Sequence, residues 1–92
     1  MDVTDLLAQA AAAGASDLHL AEAEPPLLRV DGELRRLDLP PMPAGQLQQG
    51  LAPLLAEHQM QQWLAGAELD LAVTLSQGRR CRLNLFRQRN GL

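Results

Sequence analysis

The apolar positions of this chain change period several times, and each change marks the edge of an element. Val3, Leu6, Leu7, Ala10 and Ala13 recur at helical spacing, with Asp2 ahead of them as a cap, Asp5 three residues further on, and Gly14 behind them. This predicts a helix over 3–13. In the next stretch, "GASDLHL", the period falls to two, so Leu18 and Leu20 face one side of a strand while Asp17 and His19 face the other. Two prolines, Pro25 and Pro26, interrupt it. Leu27–Val30 and Glu33–Leu37 then flank an Asp31-Gly32 pair that can take the positive φ angles of a type I′ turn, which predicts a tight hairpin.

The stretch "DLPPMPAG" at 38–45 is too rich in proline for a regular ladder and reads as a loop. Helical spacing resumes at Leu47, Leu51, Leu54 and Leu55, and again at Met60, Trp63 and Leu64, but Pro53 falls inside it. Either the helix kinks near Pro53, or two short helices meet between Pro53 and Glu57. After Gly66, Leu69, Leu71, Val73 and Leu75 alternate with Glu68, Asp70, Ala72 and Thr74, the pattern of a half-buried strand. Ser76, Gln77 and Gly78 form a turn. The return strand, "RRCRLNLF", sends Cys81, Leu83 and Leu85 inward and Arg80, Arg82, Asn84 and Phe86 outward.

In sum the order is helix, strand, hairpin, helices, hairpin: an α+β fold with a mostly antiparallel sheet covered by helices on one face. The other face carries His19, Arg80, Arg82, Asn84 and Phe86. At 92 residues the chain forms one domain, with a core built mainly from leucine because Trp63 and Phe86 are its only aromatics. Charge sharpens the picture. The net charge of -3 hides an asymmetry, since all 11 acidic residues lie between Asp2 and Asp70 while Arg79, Arg80, Arg82, Arg87 and Arg89 crowd the end. A basic end can meet phosphates or an acidic partner, or can be a solvated strand face.

Much chemistry is excluded. There is no lysine, no GxxxxGK[ST] loop and no GxGxxG, so the chain is not a self-sufficient nucleotide hydrolase of that class. His19 and His58 have no ligand cluster at metal spacing, and Ser16 and Ser76 have no evident base. Cys81, the single cysteine, reads as a small core residue, and Asp17 as a local acceptor for the chain leaving the first helix. An acidic body without a second outward aromatic argues against nucleic acid. No apolar run approaches the ~20 residues of a membrane span, and a secretory leader is not evident, which reads as a cytoplasmic protein without a transmembrane segment.

Three stretches, "MDVTDLLAQAAAAGASDLHL", "PPLLRVDGELRRLDLPP" and "RCRLNLFRQRNGL", together resemble the start of the type IV pilus retraction ATPases of the PilT and PilU kind, within the wider secretion ATPase family. The last contains an "RxRxNxFxQ"-like strand of Arg80, Arg82, Asn84, Phe86 and Gln88, while the leucine-rich middle around Pro53 departs from the usual pattern. The resemblance implies that residues 1–92 are a PAS-like N-terminal domain, followed in the parent by a further strand, a linker and a RecA-like ATPase domain. It implies a homohexameric motor that uses ATP and Mg2+, in which neighbouring subunits and the RecA-like domain are the partners. The motor would sit at the cytoplasmic base of the pilus machine on the inner membrane, drive twitching motility, and meet the platform protein indirectly. Neither cofactor is expected on this fragment alone, which lacks the ATPase motifs. By motif position the resemblance assigns nucleotide contact first to Arg82, then to Arg80, and third to Arg89; it gives Asp17 and His19 no chemistry. Two other readings remain open: a module of a pilus-extension or type II secretion ATPase, and a stand-alone PAS-like sensor with a small ligand between helices and sheet.

Overall fold

The computed structural model describes residues 3–21, 24–40, 43–75 and 78–86. Helix α1 (Val3–Ala13) leads into β1 (Asp17–Ala21), the hairpin β2 (Leu27–Val30) and β3 (Glu33–Arg36), helices α2 (Ala44–Leu51) and α3 (Glu57–Leu64), and the hairpin β4 (Leu69–Thr74) and β5 (Arg80–Phe86). The fold is α+β, as the periodicity predicts. Asp2, Ser76, Gln77 and Arg89, to which the sequence assigns a cap, a turn and a candidate site, lie outside the described residues.

Local chemistry accounts for the element ends. Gly14, at φ 71°, donates to Ala11 O at 3.2 Å while Ala15 donates to Ala10 O at 2.9 Å, the paired bonds that satisfy the last carbonyls of a helix. Asp31 and Gly32 have φ angles of 51° and 80°, so the β2–β3 turn has the positive-φ pair that matches strand twist. At Pro53 the chain takes the second of its two options. Helix α2 stops at Leu51, and α3 restarts at Glu57 with the Ala56 amide donating to Gln59 Oε1 at 2.9 Å. The loop before α2 is shorter than the proline content suggests, since α2 begins at Ala44, directly after Pro43 at φ −59°.

The sheet order is β3-β2-β1-β5-β4, antiparallel except where β1 and β5 run parallel. That pairing joins the two ends of the chain, so β1 becomes the central strand. All three helices supply core residues on one face of the sheet. Val3, Leu6, Leu7 and Ala10 of α1, Leu47 and Leu51 of α2, and Trp63 of α3 pack with Leu18, Leu20, Leu28, Val30, Leu83 and Leu85. Cys81 is buried in the same core, and burial followed by the nearby Asp17 charge pushes its thiol pKa up, which leaves it protonated and inert.

Helices α1 and α2 touch where Gly50 meets Val3. A Cβ on Gly50 would lie 2.6 Å from Val3 Cγ2 and 3.2 Å from the Val3 backbone nitrogen, whereas one on Gly45 would meet nothing within 4 Å. These two glycines of one helix should therefore respond to alanine with opposite signs. Gly45→Ala is expected to stabilise by up to about 1 kcal/mol through helix propensity. Gly50→Ala is expected to destabilise by roughly 1–2 kcal/mol, because overpacking against backbone outweighs that gain. Urea denaturation followed by circular dichroism checks both, and equal shifts would contradict the close approach.

Candidate functional site

Two cross-strand rows of the open sheet face carry the candidate site. Register places Asp17 of β1 between Arg29 of β2 and Arg82 of β5, with Ala72 of β4 beyond Arg82. The next row on this face runs Leu27, His19, Asn84, Asp70. The pairing of β1 with β5 thus brings the β1–β2 segment beside the β4–β5 hairpin, which lies far away in sequence.

Asp17 is the centre of the first row. Its carboxylate splits between two guanidiniums, Oδ2 at 3.4 Å from Arg29 Nε and Oδ1 at 3.3 Å from Arg82 Nε. It is only 7% exposed, and a carboxylate so placed is tolerable because two cations face it. This corrects the sequence reading of Asp17 as a local acceptor: the side chain reaches across strands, not along the chain. The misreading has a simple source, since an aspartate beside a helix stop can satisfy nearby amides, and only the pairing of β1 with both β2 and β5 offers it something stronger.

Arg82 also reaches Asp70 Oδ1, at 3.6 Å across the small Ala72 position. Its side chain is 57% exposed and that of Asp70 55%, so this outer contact is wet while the contact with Asp17 is not. In the second row His19 Nδ1 lies 3.3 Å from Asn84 Oδ1, and its Nε2 is buried without a hydrogen-bond partner among the described residues.

The structure brings two of the three sequence candidates together. Arg80 and Arg82 are both exposed, two residues apart on one face of β5. Arg80 lies opposite Thr74 and has no ion pair among the described residues. Arg29 and Arg82 of the first row cancel in charge against Asp17 and the second-row Asp70, so among the described residues Arg80 supplies uncompensated positive charge beside them. Phe86 is half-buried opposite Ala21, not fully outward. Sequence reasoning missed Arg29 and Asp70, since a two-residue period reports which face a side chain takes and says nothing about which strands are neighbours.

The space between helices and sheet, where a small-ligand sensor needs a pocket, is occupied among the described residues by Trp63, Leu6, Leu18, Leu51, Leu83 and Leu85, each less than 2% exposed. The same residues define the class of module: a helix-backed mixed sheet whose other face displays an arginine and aspartate cluster.

Comparison with known proteins agrees. The chain is 38% identical over 91 residues, 99% of its length, to the type IV pilus retraction ATPase PilT of Pseudomonas aeruginosa. It is 30% identical over 92 residues to YggR of Escherichia coli K12, an uncharacterized protein. Among solved structures it matches the pilus retraction motor PilT with bound ADP, with a TM-score of 0.67 and 28% identity over 97% of this chain. No family model matches. In sequence and in fold the chain is like a PilT N-terminal domain along its whole length. It spans about a quarter of the length of these relatives, 26% and 27% of the two curated proteins and 26% of the solved chain.

Proposed function

We propose that this chain is the N-terminal domain of a hexameric type IV pilus retraction motor, with its open sheet face turned toward the nucleotide held by a RecA-like ATPase domain. The observation that carries the reading is the placement of Arg80 and Arg82, two exposed guanidiniums on the sheet face opposite the core that the described helices build. The motor homology supplies the context.

The residues present fit an anionic ligand such as the phosphates of ATP with Mg2+. Guanidinium is a planar fork of donors that stays charged at all physiological pH values and is weakly hydrated. When bound, ATP supplies the phosphoryl group and Mg2+ neutralises part of its charge. This chain's contribution is to bring further positive charge to the site, Arg82 first and Arg80 second, on a rigid strand that fixes their spacing. Arg89 is the third candidate. A domain tied to a nucleotide in this way moves when that nucleotide is hydrolysed, which couples turnover to ring motion and pilus retraction in twitching.

Among the described residues no helix is long and apolar enough to cross a membrane. The proposed setting is the cytoplasmic base of the pilus machine at the inner membrane, with the platform protein met indirectly. A pilus-extension or type II secretion motor would use the same domain; retraction is preferred because the curated relative with a stated role is a retraction ATPase.

The test is a chimera. When this chain replaces the corresponding N-terminal quarter of the Pseudomonas PilT, the protein is expected to hydrolyse ATP and to restore twitching to cells lacking their own PilT. A folded chimera without ATP turnover would overturn the domain assignment. Turnover without retraction would shift it to an extension or secretion motor.

A further inference from the structure

We propose that Asp17 is a positioning residue for Arg82, and that Asp70 is a replaceable counter-acid which a bound anion displaces. The proposal deepens, and rests on, the reading of Arg82 as a nucleotide-facing residue. Its basis is a difference between the two carboxylates that share one arginine.

Asp17 is fixed. It lies on the central strand, is 7% exposed, and has guanidiniums on both sides at 3.3 and 3.4 Å. Freeing it from either would leave a carboxylate shielded from water with half its compensation, so it has no inexpensive alternative to holding both. The atom it holds is Arg82 Nε, the nitrogen nearest the aliphatic stem. A guanidinium held at Nε has its plane set, with its two terminal nitrogens further out along a side chain that is 57% exposed.

Asp70 is the opposite case. It lies on edge strand β4, its side chain is 55% exposed, and its contact with Arg82 is longer, at 3.6 Å. Water receives this carboxylate at little cost when it lets go, and salt screens the pair. A polyanion approaching the open face therefore competes with Asp70 for Arg82 and leaves the contact with Asp17 in place. Two acids at one arginine then have opposite effects on an anion. Asp17 aids binding by removing the rotamer freedom that Arg82 would otherwise lose, and Asp70, which lies 3.6 Å from the same Nε, opposes it by neutralising the guanidinium charge that the anion would otherwise meet.

Opposite signs give the test. In the ATPase that carries this domain, Asp70→Asn is expected to lower the KM for ATP about threefold, the size of an exposed ion pair removed from competition. Asp17→Asn is expected to raise KM about tenfold, as Arg82 loses its charge-assisted anchor. A purely structural role for both acids predicts that both variants lose affinity or neither changes, and either result overturns the proposal. If Asp17→Asn fails to fold, Asp70→Asn decides alone: an unchanged or raised KM overturns it.

An arm without nucleotide separates this proposal from the reading beneath it. In the 92-residue chain, NMR of arginine Nε–Hε groups should show a slowly exchanging Arg82 signal that survives Asp70→Asn and is lost in Asp17→Asn. The reverse pattern sinks the positioning role whatever the kinetics show. If instead the NMR pattern holds but Arg82→Gln leaves ATP turnover and KM unchanged, it is the nucleotide-facing reading that fails.

Discussion

Trp63→Ala is expected to lower the unfolding free energy by about 3–5 kcal/mol, a large effect for a single truncation. The size follows from how α3 is attached. Trp63 is the one fully buried residue of that helix, 1% exposed, while Glu57, His58, Gln61, Gln62 and Leu64 are exposed. An eight-residue helix does not persist in water without tertiary contacts, so α3 holds its place through this indole. Removing the indole leaves a void against neighbours whose own positions are fixed by the sheet, which prevents full collapse of the cavity. For a domain of this size each kcal/mol shifts the melting temperature by roughly 4–8 °C, so a loss of more than about 10 °C should appear in a thermal scan by circular dichroism. A change below about 1 kcal/mol in urea unfolding would mean that α3 is held in some other way.

How much of this could be read from the sequence depends on the range of the interaction. The Gly14 stop, the Asp31-Gly32 hairpin and the inward set Cys81, Leu83 and Leu85 were all legible, because each is decided within a few residues. Pro53 was legible only as a choice between a kink and a break, and the break was settled by what Leu51 and Trp63 could each reach in the core. The sheet order was not legible. Parallel pairing of β1 with β5 joins residues more than sixty positions apart, and no local pattern encodes it. The site shared that fate. Arg80 and Arg82 were visible as two charges on one strand face, but the buried carboxylate between Arg29 and Arg82 exists only once three strands are placed side by side. Asp17 consequently read as punctuation at a helix end, when in the fold it is the hub of the open face.

Arg82→Ala is the second large effect, and it should appear in catalysis as well as in stability. Asp17 keeps Arg29 after the change but is left shielded from water with half its compensation, so the fold should lose about 1–3 kcal/mol. In the ATPase that carries this domain, removal of one positioned donor from a developing anionic charge is expected to lower kcat/KM for ATP on the order of 10²-fold. Arg80→Ala, which removes a charge with no anchoring acid among the described residues, is expected to cost less, about tenfold. The ranking separates a preorganised arginine from a merely nearby one.

The central claim is that the open sheet face meets the nucleotide, and ATP turnover by the folded Arg82→Ala protein tests it most directly. The account predicts turnover reduced on the order of 10²-fold in a protein that circular dichroism shows to be folded at the assay temperature. Turnover equal to that of the unaltered protein would contradict it.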